Sequence, residues 1–169
     1  MSILTLEPKP SAKIVKERIL FKLKNWRKYI MNILVGFNGS AASKKAIELS
    51  KKHAKAFNGV VSIFMSKPSY ISENMSEKKA ERFWTDLKNA ETYIEKYREE
   101  FQKESLSCFT QISTREIDAG TDLLEYAKII EADVIIIGIE KISKVGKFLF
   151  GSTAQKVILE ANCPVLTVK

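Results

Sequence analysis

Two short stretches carry residue types that could hold an anionic ligand. In the first, Gly138 closes the apolar run Val134-Ile135-Ile136-Ile137, and thirteen positions later come Gly151-Ser152-Thr153. A glycine at a strand end lets a ligand approach the backbone closely. A helix opening at Gly151 would aim free N–H groups and the positive end of its dipole at an anion, and the hydroxyls of Ser152 and Thr153 would add donors. Lys141, Lys144 and Lys147 put positive charge between the two ends. A plainer reading stands beside this one. Ser152-Thr153-Ala154-Gln155 fits a capping box, in which the helix satisfies its own first donors, and the lysines would then line a solvated basic loop. A Walker loop is excluded, because Gly146-Lys147 is followed by Phe148 and the position five before Gly146 is Lys141.

The second stretch is Gly36-Phe37-Asn38-Gly39-Ser40. An asparagine amide both donates and accepts, so Asn38 at a strand end could hold a ligand hydroxyl. Equally, Asn-Gly is turn chemistry and Ser40 is a good helix N-cap.

The elements that position these stretches follow from periodicity. Asn32 to Phe37, Val60 to Met65, Cys108 to Ile117, Asp133 to Gly138 and Pro164 to Val168 read as strands. Polar residues in the third mark it as an edge. Helices are expected over about 41–57, closed by Asn58 with Gly59 in the left-handed cap, over 76–105 and 120–131, and from Ser152 onward. Ala80, Phe83, Leu87, Ala90, Ile94, Tyr97 and Phe101 form a stripe at steps of three and four on the long helix, as expected of a core face. Strands alternating with helices imply a parallel sheet covered on both faces, and unbroken apolar strands agree with that. Ligands of such sheets bind beyond the carboxyl ends of the strands, where the strand order reverses.

Residues 1–30 read differently from 31–169. Two prolines in the first ten residues suggest an extended tail, and Ala12, Val15, Ile19, Leu23, Trp26 and Ile30 then line one face of a helix. This segment holds eight Lys or Arg against two Glu, which is six of the chain's net charge of +8. The remaining body is nearly balanced, which argues against nucleic acid as a partner. The basic amphipathic helix is expected to dock on the domain, on a partner or on a membrane surface; a true start at Met31 is the alternative. Cys108 and Cys163 form no CxxC, and the single histidine, His53, lies in a lysine-rich helical stretch, so no disulfide framework, metal site or catalytic trio is expected. No apolar run approaches the roughly 20 residues of a membrane span, and there is no secretory signal pattern, so the chain is expected to be cytoplasmic.

From Met31 to Lys169 the chain resembles the universal stress protein family. The matching residues are Ile33 to Ser40, Ala119-Gly120 ahead of the third helix, Ala132 to Gly138, Gly151-Ser152 and Cys163 to Leu166. The resemblance implies a Rossmann-like α/β fold, with a doubly wound five-stranded parallel sheet in the order 3-2-1-4-5. It also implies a homodimer, often paired through the last strand. Nucleotide-binding members carry G-x2-G-x9-G-[ST]. Here that frame is Gly138, Lys141 and Gly151-Ser152, with lysine in place of the second glycine and Asn38 where those members usually have aspartate. On this basis the expected function is stress-response or regulatory binding of ATP, with or without Mg2+, or of another adenine nucleotide. The expected site residues are Gly36, Asn38, Gly138, Lys141, Gly151, Ser152 and Thr153. Any hydrolysis is expected to be slow. The alternative function is a nucleotide-independent dimeric interaction module.

Overall fold

The computed structural model describes residues 30–68, 76–140, 142–144, 147–149 and 151–169. The expectations for the helix over 12–30 and for Lys141 lie outside these residues. In order, the elements are β1 (Asn32–Gly36), α1 (Ala41–Phe57), β2 (Val60–Ser66), α2 (Glu77–Lys103), β3 (Ser107–Ser113), α3 (Ala119–Ile129), β4 (Val134–Gly138), β5 (Ile142–Lys144), β6 (Lys147–Leu149), α4 (Ser152–Glu160) and β7 (Val165–Val168).

Five strands form one parallel sheet in the order β3-β2-β1-β4-β7. This is the expected 3-2-1-4-5 order, with β7 as the fifth strand. Alternation along β1 and β4 sends side chains to both faces. Ile33, Val35 and Ile136 meet Ala46, Ile47, Ile94 and Phe101 on the side of α1 and α2, while Leu34, Ile135 and Ile137 meet Leu123, Leu124 and Val157 on the side of α3 and α4. Two covered faces explain why these strands read as continuous apolar runs. Each such aliphatic side chain contributes about 1.5–3 kcal/mol on full burial. The edge strand β3 alternates between exposed and half-buried positions, as its polar admixture suggested.

On α2 the apolar stripe does face the core: Ala90, Ile94 and Phe101 are buried and Ala80, Phe83, Leu87 and Tyr97 half-buried. Three local expectations are corrected. Strand β3 stops at Ser113, not Ile117, because Arg115 leaves the sheet to pair with Asp122 and Glu125 on α3. Asn58 takes the left-handed cap of α1 with φ 50°, its own N–H bonding Ala54. Gly59 is instead kept small by packing, since a Cβ there would lie 2.8 Å from Ile33 Cδ1. Finally, the basic stretch after β4 is not only loop. It holds a short antiparallel pair, β5 with β6, in which Ile142 stands opposite Leu149 and Lys144 opposite Lys147.

Candidate functional site

Strand order reverses between β1 and β4, which pair in register from Ile33↔Val134 to Gly36↔Ile137. A cavity of about 270 Å3 opens beyond their carboxyl ends. Of the seven site residues expected from sequence, Gly36, Asn38, Gly138, Gly151, Ser152 and Thr153 all line it. Lys141 is not among the described residues.

The turn after β1 is built by its own polar groups. Asn38 Oδ1 accepts from the Ser40 N–H at 3.1 Å. Gly39 has φ +83°, a conformation that favours glycine. Ser40 caps α1, its Oγ accepting from the Ser43 N–H at 3.1 Å. The turn and capping readings of this stretch are therefore realised. They also fix the polarity of Asn38: with Oδ1 held by the turn, the Nδ2 group is the donor left for a ligand.

The three glycines of the site are small for different reasons. A Cβ on Gly138 would lie 2.3 Å from the Ala42 carbonyl carbon and the Ser43 nitrogen, so this glycine exists to let α1 cross β4 closely. Packing against α1 is by itself enough to require glycine here, a reason not read from the sequence. On Gly36 a Cβ would press on Ile137 and Leu123 at 3.0 Å. On Gly151 a Cβ would meet no described atom within 4 Å, and the residue's φ of −59° is open to any residue. Neither described packing nor backbone conformation demands glycine there.

The capping-box expectation fails. The N-cap of α4 is Gly151, one residue earlier than Ser152, and it supplies no side-chain cap to the first donors. The Gly151 carbonyl accepts from Gln155 N–H at 3.0 Å and closes the first turn. The amides of Ser152, Thr153 and Ala154 are the first-turn donors that no intrahelical carbonyl can satisfy; among the described residues no side chain bonds them, and all three residues line the cavity. At the neighbouring helix start the arrangement is the opposite. Asp118 caps α3 by accepting from the Thr121 N–H and hydroxyl and from Lys156 on α4. Those bonds hold its carboxyl well below the usual range. Asp118 precedes Ala119-Gly120, which open α3 rather than lie ahead of it.

Sequence reasoning missed the far wall. Phe64 and Ser66 of β2, with Ala119 and Leu123 of α3, complete the cavity. Their signal was faint: Ser66 is the last residue of an apolar strand, and which face of α3 turns inward is fixed only once β4 and α4 are in place. His53 is half-buried on α1, with Nδ1 against the Leu49 carbonyl at 3.0 Å, away from the cavity. Both cysteines are free.

A doubly wound parallel sheet with a cavity at its switch point defines a Rossmann-like α/β protein. The family model described as the universal stress protein family matches residues 30–169, and the chain belongs to that family. A universal stress protein of Thermus aquaticus is 30% identical over 140 residues, covering 81% of this chain and 97% of the relative. Among solved structures, a universal stress protein from Archaeoglobus fulgidus superposes with a TM-score of 0.68 at 24% identity, covering 87% of this chain and 99% of the other. The universal stress protein from the same organism in complex with dAMP gives a TM-score of 0.64 at 23% identity, covering 82% and 98%. These two likenesses concern the fold.

Proposed function

We propose that residues 31–169 form a stress-response or regulatory domain that binds an adenine nucleotide, ATP first among the candidates, in the β1/β4 crevice. The observation that carries this reading is the start of α4. Its first amides are uncapped, its glycine answers to no described contact, and it opens on the same cavity as Asn38. A phosphate group suits those amides and the helix dipole. The Asn38 amide would donate to a ribose hydroxyl oxygen, and Gly36 and Gly138 keep the floor low. The relative solved with dAMP supports the choice of an adenine nucleotide. Among the described residues no group of three His, Cys, Asp or Glu could hold a metal ion, so Mg2+ would arrive on the phosphates of ATP, which supply most of its ligands. Lys141, in place of the family's second glycine, acts in this reading as a counter-charge to phosphate.

The test is a thermal shift with ATP and AMP on the protein as isolated, with and without Mg2+. Stabilisation that grows with ligand concentration is the expected result, and a flat response at millimolar nucleotide would end the proposal. Lys141→Gly separates two roles: weaker ATP binding marks a counter-charge, tighter binding a plug.

We further propose a homodimer through β7. Val165, Leu166 and Val168 on this edge are half-buried, and Leu159 of α4 is 74% exposed. An edge strand of this kind is a template for pairing with a second copy. Sedimentation as a dimer, lost on Leu166→Lys, is the expected outcome. For residues 1–30 we propose docking on the domain, a partner or an anionic membrane surface. No described helix is long and apolar enough to cross a membrane. Equal liposome co-sedimentation of the full chain and of 31–169 would remove the membrane option.

A further inference from the structure

Asp122 is the most deeply buried charged residue among the described residues, at 1% exposure, with Lys51 next at 7%. Burying a carboxylate is unfavourable unless it is paired, and two groups pair with it. Ser66 Oγ donates to Oδ2 at 2.7 Å, and Arg115 Nη1 lies 3.4 Å from Oδ1. Ser66 also lines the cavity, beside Phe64 and Leu123. On β2, Phe64 and Ser66 are two apart and so point to one face of the sheet, the face that Leu123 and Asp122 of α3 cover. A serine hydroxyl has one proton. With that proton given to Asp122, only the lone pairs of Ser66 are left for a ligand.

We propose that the Ser66–Asp122 pair reads the base of the bound nucleotide. Ser66 accepts an N–H from the exocyclic amino group of adenine and rejects purines that carry a carbonyl oxygen at that position. This inference rests on the nucleotide reading above. The order of strands supports it. β2, β1 and β4 are consecutive neighbours, so the carboxyl ends of β2 and β4 stand roughly 10 Å apart at about 4.8 Å per strand. The phosphate site at the start of α4 lies past β4, and Asn38 follows β1. A nucleotide laid along this edge puts phosphate, ribose and base in the same order, with the base against β2. There Phe64 and Leu123 offer apolar walls and Ser66 a single, fixed acceptor. A six-oxo purine would set acceptor against acceptor, leaving both unsatisfied, and sites of this type discriminate strongly.

AMP and IMP test this, because they share ribose and phosphate and differ at the six-position and its neighbouring ring nitrogen. In calorimetric titrations of the unmodified full chain, IMP is expected to bind at least tenfold more weakly than AMP. Ser66→Ala should weaken AMP to within about threefold of IMP and leave IMP unchanged. Asp122→Asn replaces the acceptor facing Ser66 with an amide that can donate, turns the hydroxyl proton toward the cavity and shifts the preference toward IMP. A merely structural pair would lower the urea midpoint in these variants without moving the AMP-to-IMP ratio, and that result overturns the inference. Equal affinities of AMP and IMP for the unmodified chain overturn it as well, while leaving the nucleotide reading intact. If neither nucleotide binds, both fall together.

Discussion

Gly138→Ala should destabilise the fold sharply, while Gly151→Ala should not. At Gly138 the added Cβ would sit 2.3 Å from two backbone atoms of α1, Ala42 C and Ser43 N, and 2.6 Å from the Ala42 carbonyl oxygen. Real carbon contacts lie near 3.5 Å or beyond, and no rotamer change can relieve a clash with backbone. Helix α1 must therefore lift from β4 by about 1 Å. That loosens the contacts of Ala46 and Ile47 with Val35 and Ile136 in the core. Overpacking of this kind costs about 1–3 kcal/mol, occasionally more. For a chain of this size each kcal/mol shifts Tm by about 2–4 °C, so a fall of about 6–12 °C is expected at the upper end. At Gly151 no described atom stands within 4 Å of an added Cβ and φ is −59°. Alanine there loses the N-cap preference for glycine but restricts the unfolded chain, two effects of opposite sign of about 0.5–1 kcal/mol each, so stability should change by no more than about 1 kcal/mol. Paired urea titrations measure both. Equal midpoints for Gly138→Ala and the unmodified chain would refute the close crossing of α1 over β4.

Three further outcomes follow from the same geometry. Asp118→Ala should lower stability by uncapping α3, and the difference from the unmodified chain should depend on pH. The carboxyl ionises more readily folded than unfolded, so its contribution is full above its ordinary value near 3.8 and fades as pH falls below that; urea midpoints at pH 7 and pH 3 measure it. Burial pushes the Cys108 thiol up to about 12, so labelling of the folded protein at pH 8 should be roughly a thousandfold slower at Cys108 than for a free thiol, with full reactivity in urea. Ser40→Ala removes the cap that accepts from Ser43 and should cost about 1 kcal/mol, a Tm loss of about 2–4 °C in differential scanning calorimetry.

The fold was legible because each layer writes a distinct period. Ile33 to Val35 and Val134 to Ile137 are unbroken apolar runs because each alternates between two covered faces. The stripe from Ala80 to Phe101 repeats as a helix resting on a sheet must. Ends were less legible, since they depend on contacts made far along the chain. Arg115 ends β3 by reaching Asp122 and Glu125, and Gly59 is small because Ile33 approaches it. In the site, the spacing of Gly138 and Gly151 located both walls of the crevice but not the reason for either glycine. The capping box at Ser152 was a sound local expectation that failed because the helix begins one residue sooner. The Ser66–Asp122 contact joins residues 56 apart and has no local pattern at all.

The central claim is that the bare start of α4 is a phosphate site. The direct measurement is isothermal titration of ATP and AMP into the full chain and into Gly151→Val. Valine adds a branched side chain at a residue that lines the cavity, and no described protein atom stands within 4 Å of its Cβ, so the fold should persist while ligand binding is impaired. The account predicts saturable binding to the unmodified chain, weakened at least tenfold, or about 1.4 kcal/mol, in the variant, with an unchanged urea midpoint. Undiminished binding in a folded Gly151→Val protein would contradict it.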